Sequence, residues 1–218
     1  MGDRVVVRPS SLNRFVYCPV YVFLDHYLRA KPPLLHRLRL FLGRIYHWLA
    51  ERRLRRSGYT CERELEAKMD GVILVGRADG LRINGDTAHI IEVKSGRAPR
   101  HPYSRLSPYP MRVYTNDLVQ AIAYAYLVKT NYPVKTVVIT IKYRDHEETF
   151  TYDPLFEAYL GIVLELYRKM VVDKVIIEPF YHSPKKCRSC QYKQTCIQLG
   201  LINKKLEWID PAKAALTR

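Results

Sequence analysis

No run of about 18 apolar residues occurs in the chain, which excludes a membrane-spanning helix of the ordinary kind, and no membrane partner is expected. The opening Met1-Gly2-Asp3-Arg4-Val5 has no signal-type apolar stretch, and no Ser or Thr stands at the myristoylation position after Gly2. The expected location is therefore the cytoplasm. Acidic residues are scarce: 21 Asp and Glu against 36 Lys and Arg leave a formal charge of +15, far more than a merely solubilising surface needs. Such an excess attracts polyanions, nucleic acid first among them. No internal repeat is present. The 218 residues suffice for one main domain with an appended small module.

What is present is ordinary globular material. Hydrophobic residues make up 48% and aromatics 11%, which argues against wholesale disorder. Seventeen tyrosines supply faces that stack on unpaired bases, although most tyrosines in any protein pack in or near the core.

Ser10-Ser11 can cap a helix reaching about Arg29, with a break or late start at Pro19, and Pro32-Pro33 opens a second helix, Leu34 to Arg56. The second helix places Gly43 and His47 on one face. Strand patterns follow over Glu62 to Met69, Val72 to Asp79 and Ala88 to Lys94, with turns at Asp70-Gly71 and Asn84-Gly85. The last two runs are expected to lie antiparallel, bringing Asp79 beside Glu92. A loop rich in Pro, Tyr and Arg covers Ser95 to Val113, and its Arg97, Arg100, Arg105 and Arg112 are candidates for guiding a nucleic-acid strand. Then come a helix from Asn116 to Lys129, a hairpin of Val134 to Tyr143 with Glu147 to Tyr152, and a helix from Pro154 to Val172. The order of elements fits an α/β or α+β sheet with helices packed on it.

Two constellations carry chemistry. Glu92-Val93-Lys94 puts an anion and a cation on one face of a strand, about 6 to 7 Å apart. Alone it is a surface pair of little energetic value. His47 alone is a packed helix residue, and Gln120 with Tyr124, four apart, is an ordinary half-buried helix face. With Asp79 they converge on one pocket, where hard oxygen ligands and an imidazole suit Mg²⁺ or Mn²⁺.

The second constellation is Cys187, Cys190 and Cys196, a C-x2-C-x5-C spacing in a loop that supplies three ligands. Cys18, just before Pro19, is the candidate fourth; Cys61 reads as a small buried residue. Thiolates hold zinc or an iron–sulfur cluster, and spacing alone does not decide. The missing second C-x2-C hook and the distant fourth thiol favour a cluster.

The ordered set Cys18-Pro19, His47, Asp79, Glu92-Val93-Lys94, Gln120-x3-Tyr124, Cys187, Cys190 and Cys196 resembles the RecB-type branch of the PD-(D/E)xK nuclease superfamily. Within that branch it resembles the iron–sulfur CRISPR-associated exonucleases of the fourth Cas family. Here Ala78-Asp79 replaces the family's Pro-Asp. The resemblance implies an α/β restriction-endonuclease-like core, a central mixed sheet flanked by helices over residues 1–180, with a cysteine-rich cluster module over 181–218.

It implies Mn or Mg on His47, Asp79, Glu92 and the Val93 carbonyl. Lys94 would orient or activate water, and Gln120 and Tyr124 would shape the site. Cys18, Cys187, Cys190 and Cys196 would hold an iron–sulfur cluster, 4Fe–4S ahead of 2Fe–2S. The implied activity is 5′ to 3′ exonucleolysis of single-stranded DNA, processing spacer precursors in CRISPR adaptation with integrase proteins as partners; a homo-oligomer is left open. The alternatives are a zinc- or cluster-containing nucleic-acid-binding protein and a non-catalytic adaptor of the integration complex. Trp208 and Ile209 suggest that part of the tail docks.

Overall fold

Leu118, Val119, Ala121, Ile122, Ala123, Ala125, Leu127 and Val128 leave almost no polar face on the helix α4 (Thr115–Asn131), and all of them are buried. A helix buried on nearly every side belongs in a core. In the computed structural model, which describes residues 5–28, 34–61, 64–101, 111–180, 183–188 and 190–207, α4 is the element both sheets share. The helices α1 (Pro9–Tyr17) and α5 (Pro154–Val172) pack against it.

One sheet has the order β1-β3-β2, from β1 (Val5–Val7), β2 (Leu65–Met69) and β3 (Val72–Gly76), with β1 parallel and β2 antiparallel to β3. The other has the order β4-β5-β6-β7, from β4 (Gly80–Asn84), β5 (Thr87–Val93), β6 (Thr136–Lys142) and β7 (Glu147–Thr151). Its central pair, β5 and β6, is parallel, as the α4 crossover requires, and both outer pairs are antiparallel. The predicted turns are in place: Asp70 and Gly71 have φ of 49° and 79°, and Gly85 has φ of 56°. Asp153 caps α5 by accepting from the Leu155 and Phe156 amides at 2.8 and 3.1 Å.

Three expectations are corrected. The run Val72 to Asp79 is not one strand and does not pair with β5: β3 ends at Gly76, and β4, in the other sheet, begins at Gly80. The chain leaves the first sheet at a crowded point. A Cβ at Gly76 would stand 2.7 Å from Pro9 Cδ and 3.0 Å from Tyr124 Cε1, so the chain passes edge-on between α1 and α4. Gly80 is likewise closed in by Leu54 and Tyr59. Asp79 therefore sits on a short connector between sheets rather than on a strand end.

Second, α1 starts at Pro9 with Arg8 as its cap and no side-chain cap bond, so Ser10-Ser11 lie inside it. It ends at Cys18, which is extended (φ −164°, ψ 103°) ahead of Pro19, and α2 (Pro19–Leu28) follows. Third, the cysteine-rich segment is not all loop: it holds the short helices α6 (Pro184–Arg188) and α7 (Lys193–Gln198). They share with α2 a small core of Val20, Leu24, Cys187, Tyr192, Cys196, Leu201 and Ile202. Tyr192 donates to Asp25 at 2.9 Å and Lys186 to the Tyr17 carbonyl at 2.8 Å, tying the two ends of the chain together. The long helix α3 (Leu34–Arg56) meets β4. Among the described residues, no helix is long and apolar enough to cross a membrane. Arg105, Trp208 and Ile209 lie outside the described residues.

Candidate active site

The parallel β5–β6 ladder carries Glu92 and Val93 to the end of β5 and extends one step further, the Lys94 amide donating to the Lys142 carbonyl at 2.8 Å. This fixes the backbone under two charged side chains. Lys94 Nζ has three acceptors: Gln120 Oε1 at 2.7 Å, Glu92 Oε1 at 3.0 Å and Asp117 Oδ1 at 3.1 Å. An ammonium has three N–H donors, so all are taken up. Gln120 Nε2 also donates to Glu92 Oε1, at 2.8 Å. Gln120 thus bridges the anion and the cation.

Behind the lysine, Asp117 is held from every side. Oδ1 accepts from Asn13 Nδ2 at 2.9 Å and Oδ2 from the Tyr143 hydroxyl at 2.8 Å. That hydroxyl accepts in turn from the Tyr114 amide at 3.2 Å, and Asn116 supports Asn13. Burial, with Asp117 adding, raises Tyr143 above an ordinary tyrosine, so it stays a donor. Asp117, Asn13 and Tyr143 are the site residues that sequence reasoning missed. A signal existed for Asp117: it precedes Gln120 by three and Tyr124 by seven on α4, on the same helix face.

In front, Asp79 Oδ2 accepts from the Val93 amide at 2.8 Å and lies 3.5 Å from His47 Nδ1. The geometry therefore gives Val93 a role through its N–H: it aims Asp79. His47 is raised above an ordinary histidine, chiefly by its hydrogen bond to Asp79 and against the pull of burial. Tyr124, buried against Gly76, is raised by burial and by Glu92, so its phenol stays neutral.

Lys94 is pulled down by burial, but Glu92 and Asp117 outweigh that and lift it above an ordinary lysine. It is a cation and a donor, not a base. Burial dominates at Glu92, 2% exposed, and pushes it up to about 7 with Asp79 adding and Lys94 opposing. Its Oε2 is buried and has no hydrogen-bond partner among the described residues. An orphaned carboxylate oxygen is costly unless a cation completes it. That oxygen, with the Asp79 carboxylate and the His47 imidazole, is a donor set suited to Mg²⁺ or Mn²⁺. Among the described residues, no three His, Cys, Asp or Glu side chains are already drawn into a ligand shell.

A pH dependence follows. Since Glu92 moves from 4.5 to about 7 on folding, the native state holds an extra proton in that window, and this group's stabilising contribution fades as pH rises through about 7. A divalent ion takes the ionised carboxylate, so its effect runs the other way. The rise in Tm on adding Mn²⁺ should be larger at about pH 8 than at about pH 6, and the difference should vanish in Glu92→Gln. Equal increments at both pH values in the wild type would contradict a role for Glu92 in holding the ion.

The second constellation gathers on the small core under α2. Cys18 is pushed up to about 11 and Cys196 to about 12, mainly by burial, with Cys187 and Cys190 adding to both. Cys187 and Cys196 belong to that core and Cys18 and Cys190 pack against it, a donor set of the kind that takes zinc or a cluster, although among the described residues no three thiols are drawn into a ligand shell. Cys61 stands apart, its thiol directed at the Glu51 and Tyr59 carbonyls at 3.9 and 3.8 Å.

The described part of the loop between β5 and α4 is partly internal. Arg112 gives its Nε to the Pro99 carbonyl at 3.2 Å and its amide to Glu148 at 3.1 Å, and Ala98 donates to Asp145 at 2.9 Å, pinning the loop to the β6–β7 hairpin. Arg97 and Arg100 are exposed.

Residues 35–197 match the PD-(D/E)XK nuclease superfamily. The chain is 25% identical over 193 residues to the CRISPR-associated exonuclease Cas4/endonuclease Cas1 fusion of Myxococcus xanthus strain DK1622. The alignment covers 88% of this chain but 31% of that protein, so the chain spans about a third of its length. The crystal structure of SSO0001 has the same fold, with a TM-score of 0.55 and 18% identity over 90% of this chain and 88% of that one.

Proposed function

The chain belongs to the PD-(D/E)XK nuclease superfamily, and on that premise we propose that it is a Mn- or Mg-dependent exonuclease acting on single-stranded DNA. The observation that carries the reading is the buried pair of Glu92, with its unpartnered Oε2, and a Lys94 kept protonated by Asp117, facing an Asp79 aimed by the Val93 amide. In this reading His47, Asp79, Glu92 and the Val93 carbonyl hold the ion. A bound divalent ion supplies positive charge at the scissile phosphate and acidifies water.

The chain's own groups do the rest. Because all three Lys94 donors are engaged, a phosphate oxygen must replace one acceptor. Glu92 Oε1, which keeps Gln120 as a donor, is released at least cost. Lys94 then stabilises charge developing on the phosphate, and Gln120 holds Glu92 in place. With its other two donors on Gln120 and Asp117, the protonated Lys94 acts on the phosphate and does not deprotonate water.

The charge of +15 and the exposed Arg97 and Arg100 support a polyanionic substrate. The resemblance to the fourth Cas family supports a 5′ to 3′ direction, spacer-precursor processing and a nuclease unit of residues 1–180 with a module of 181–218 holding an iron–sulfur cluster. The match to a protein that joins an exonuclease and the Cas1 endonuclease in one chain supports an integrase partner.

Anaerobic purification followed by a visible spectrum and an Mn²⁺ digestion assay tests the whole reading. The expected protein is coloured, digests single-stranded DNA and is bleached by Cys196→Ser. A colourless zinc protein without cleavage would leave a nucleic-acid-binding module. A coloured protein that binds an integrase without turnover would leave an adaptor.

A further inference from the structure

We propose that the outer face of α3 is a stacking platform for an unpaired nucleic-acid strand, with Trp48 at its centre. The inference rests on the nuclease reading above. Phe41, Ile45, Trp48 and Arg52 follow one another at steps of four, three and four, which places them on one face of the helix. The three apolar members are 51%, 41% and 57% exposed. A large indole held that far out of the core is unusual for a packing residue.

The chemistry of the face selects the occupant. Within α3 there are seven arginines and one glutamate, and that glutamate, Glu51, is paired with Arg55 at 3.1 Å. The Arg52 guanidinium lies 6.0 Å from the Trp48 ring centroid, so an aromatic plane and a cation are presented together. Bases stack on the first and phosphates meet the second. A two-fold contact between two copies of this face would set each cluster of arginines near its mate, and like charges oppose it.

Position completes the case. His47, beside Asp79, directly precedes Trp48, and consecutive residues are rotated by about 100° around a helix. A strand whose phosphate lies at Asp79 and which passes round α3 reaches the indole within a few nucleotides. The opposite flank of the helix is closed, since Leu54 packs on Gly80.

Binding of an oligothymidylate of about 12 nucleotides, measured in chelator so that no cleavage is required, tests this. In a Trp208→Phe background Trp48 is the sole indole, and its fluorescence should be quenched on titration. In the native background, Trp48→Ala should weaken binding roughly tenfold or more, Trp48→Phe should restore most of the loss, and the salt slope should stay unchanged, because stacking releases no counterions. Absence of quenching, or Trp48→Ala binding as tightly as the wild type, would overturn the platform even if digestion is intact. A wild type that self-associates and a Trp48→Ala variant that does not would overturn it in favour of contact between copies. Failure of the nuclease reading shows differently: quenching and binding persist while no metal-dependent digestion is found.

Discussion

Asp79→Ala and Lys94→Ala are each expected to lower Mn²⁺-dependent digestion of single-stranded DNA by at least about a hundredfold to a thousandfold in kcat, the range seen when one preorganised charge-stabilising group is removed. Asp79 is the cleaner test. Its carboxylate is partly exposed and accepts one backbone N–H, so its loss disturbs the ligand set more than the fold. Lys94 is different. Taking away the ammonium leaves Glu92 and Asp117 facing each other in a buried site, and breaking a buried pair costs about 3–5 kcal/mol. Part of that cost disappears because Glu92 can take up a proton. Thermal unfolding and oligonucleotide binding in chelator therefore accompany the assay. If both variants remain folded and still digest DNA, the site is not where the chemistry occurs.

Asp117→Asn is expected to lower kcat about tenfold to a hundredfold while leaving DNA affinity in chelator unchanged, the effect of a group that supports a functional side chain without touching substrate. The amide keeps the shape of the carboxylate but withdraws one of the two anions that hold Lys94 protonated and aimed. It also sets an NH2 against donors, because Asn13 Nδ2, the Tyr143 hydroxyl and Lys94 Nζ all point hydrogens at Asp117. Tyr143→Phe removes one of those donors and leaves the charge, so its loss of kcat is smaller. An Asp117→Asn enzyme with wild-type kcat would reduce Asp117 to a core residue.

Much of this site is legible in the residues themselves. Asn84-Gly85 requires a hairpin, and the hairpin puts Gly80 opposite Ile91, which brings the neighbouring Asp79 to the end of β5. Gln120 and Tyr124 share a helix face by spacing alone. Asp153-Pro154 announces the start of α5. The split between β3 and β4 is not legible in the same way. Nothing local distinguishes Val72 to Asn84 from a strand and its return. Gly76 is required at the end of β3 only because Pro9 and Tyr124 stand where a side chain would be.

The sequence by itself determined the polyanion-seeking charge, the order of carboxylates, lysine and thiols, and the helices and turns that local patterns dictate. Those depend on composition and on residues a few positions apart. The tertiary structure alone decided that Asn13, Asp117 and Tyr143 stand behind Lys94, since Asn13 and Asp117 are 104 positions apart and meet only through the packing of α1 on α4. It also decided the charge states. Burial raises Glu92, and two facing carboxylates hold Lys94 protonated. Both effects arise from removing water around groups that the chain order leaves unconnected.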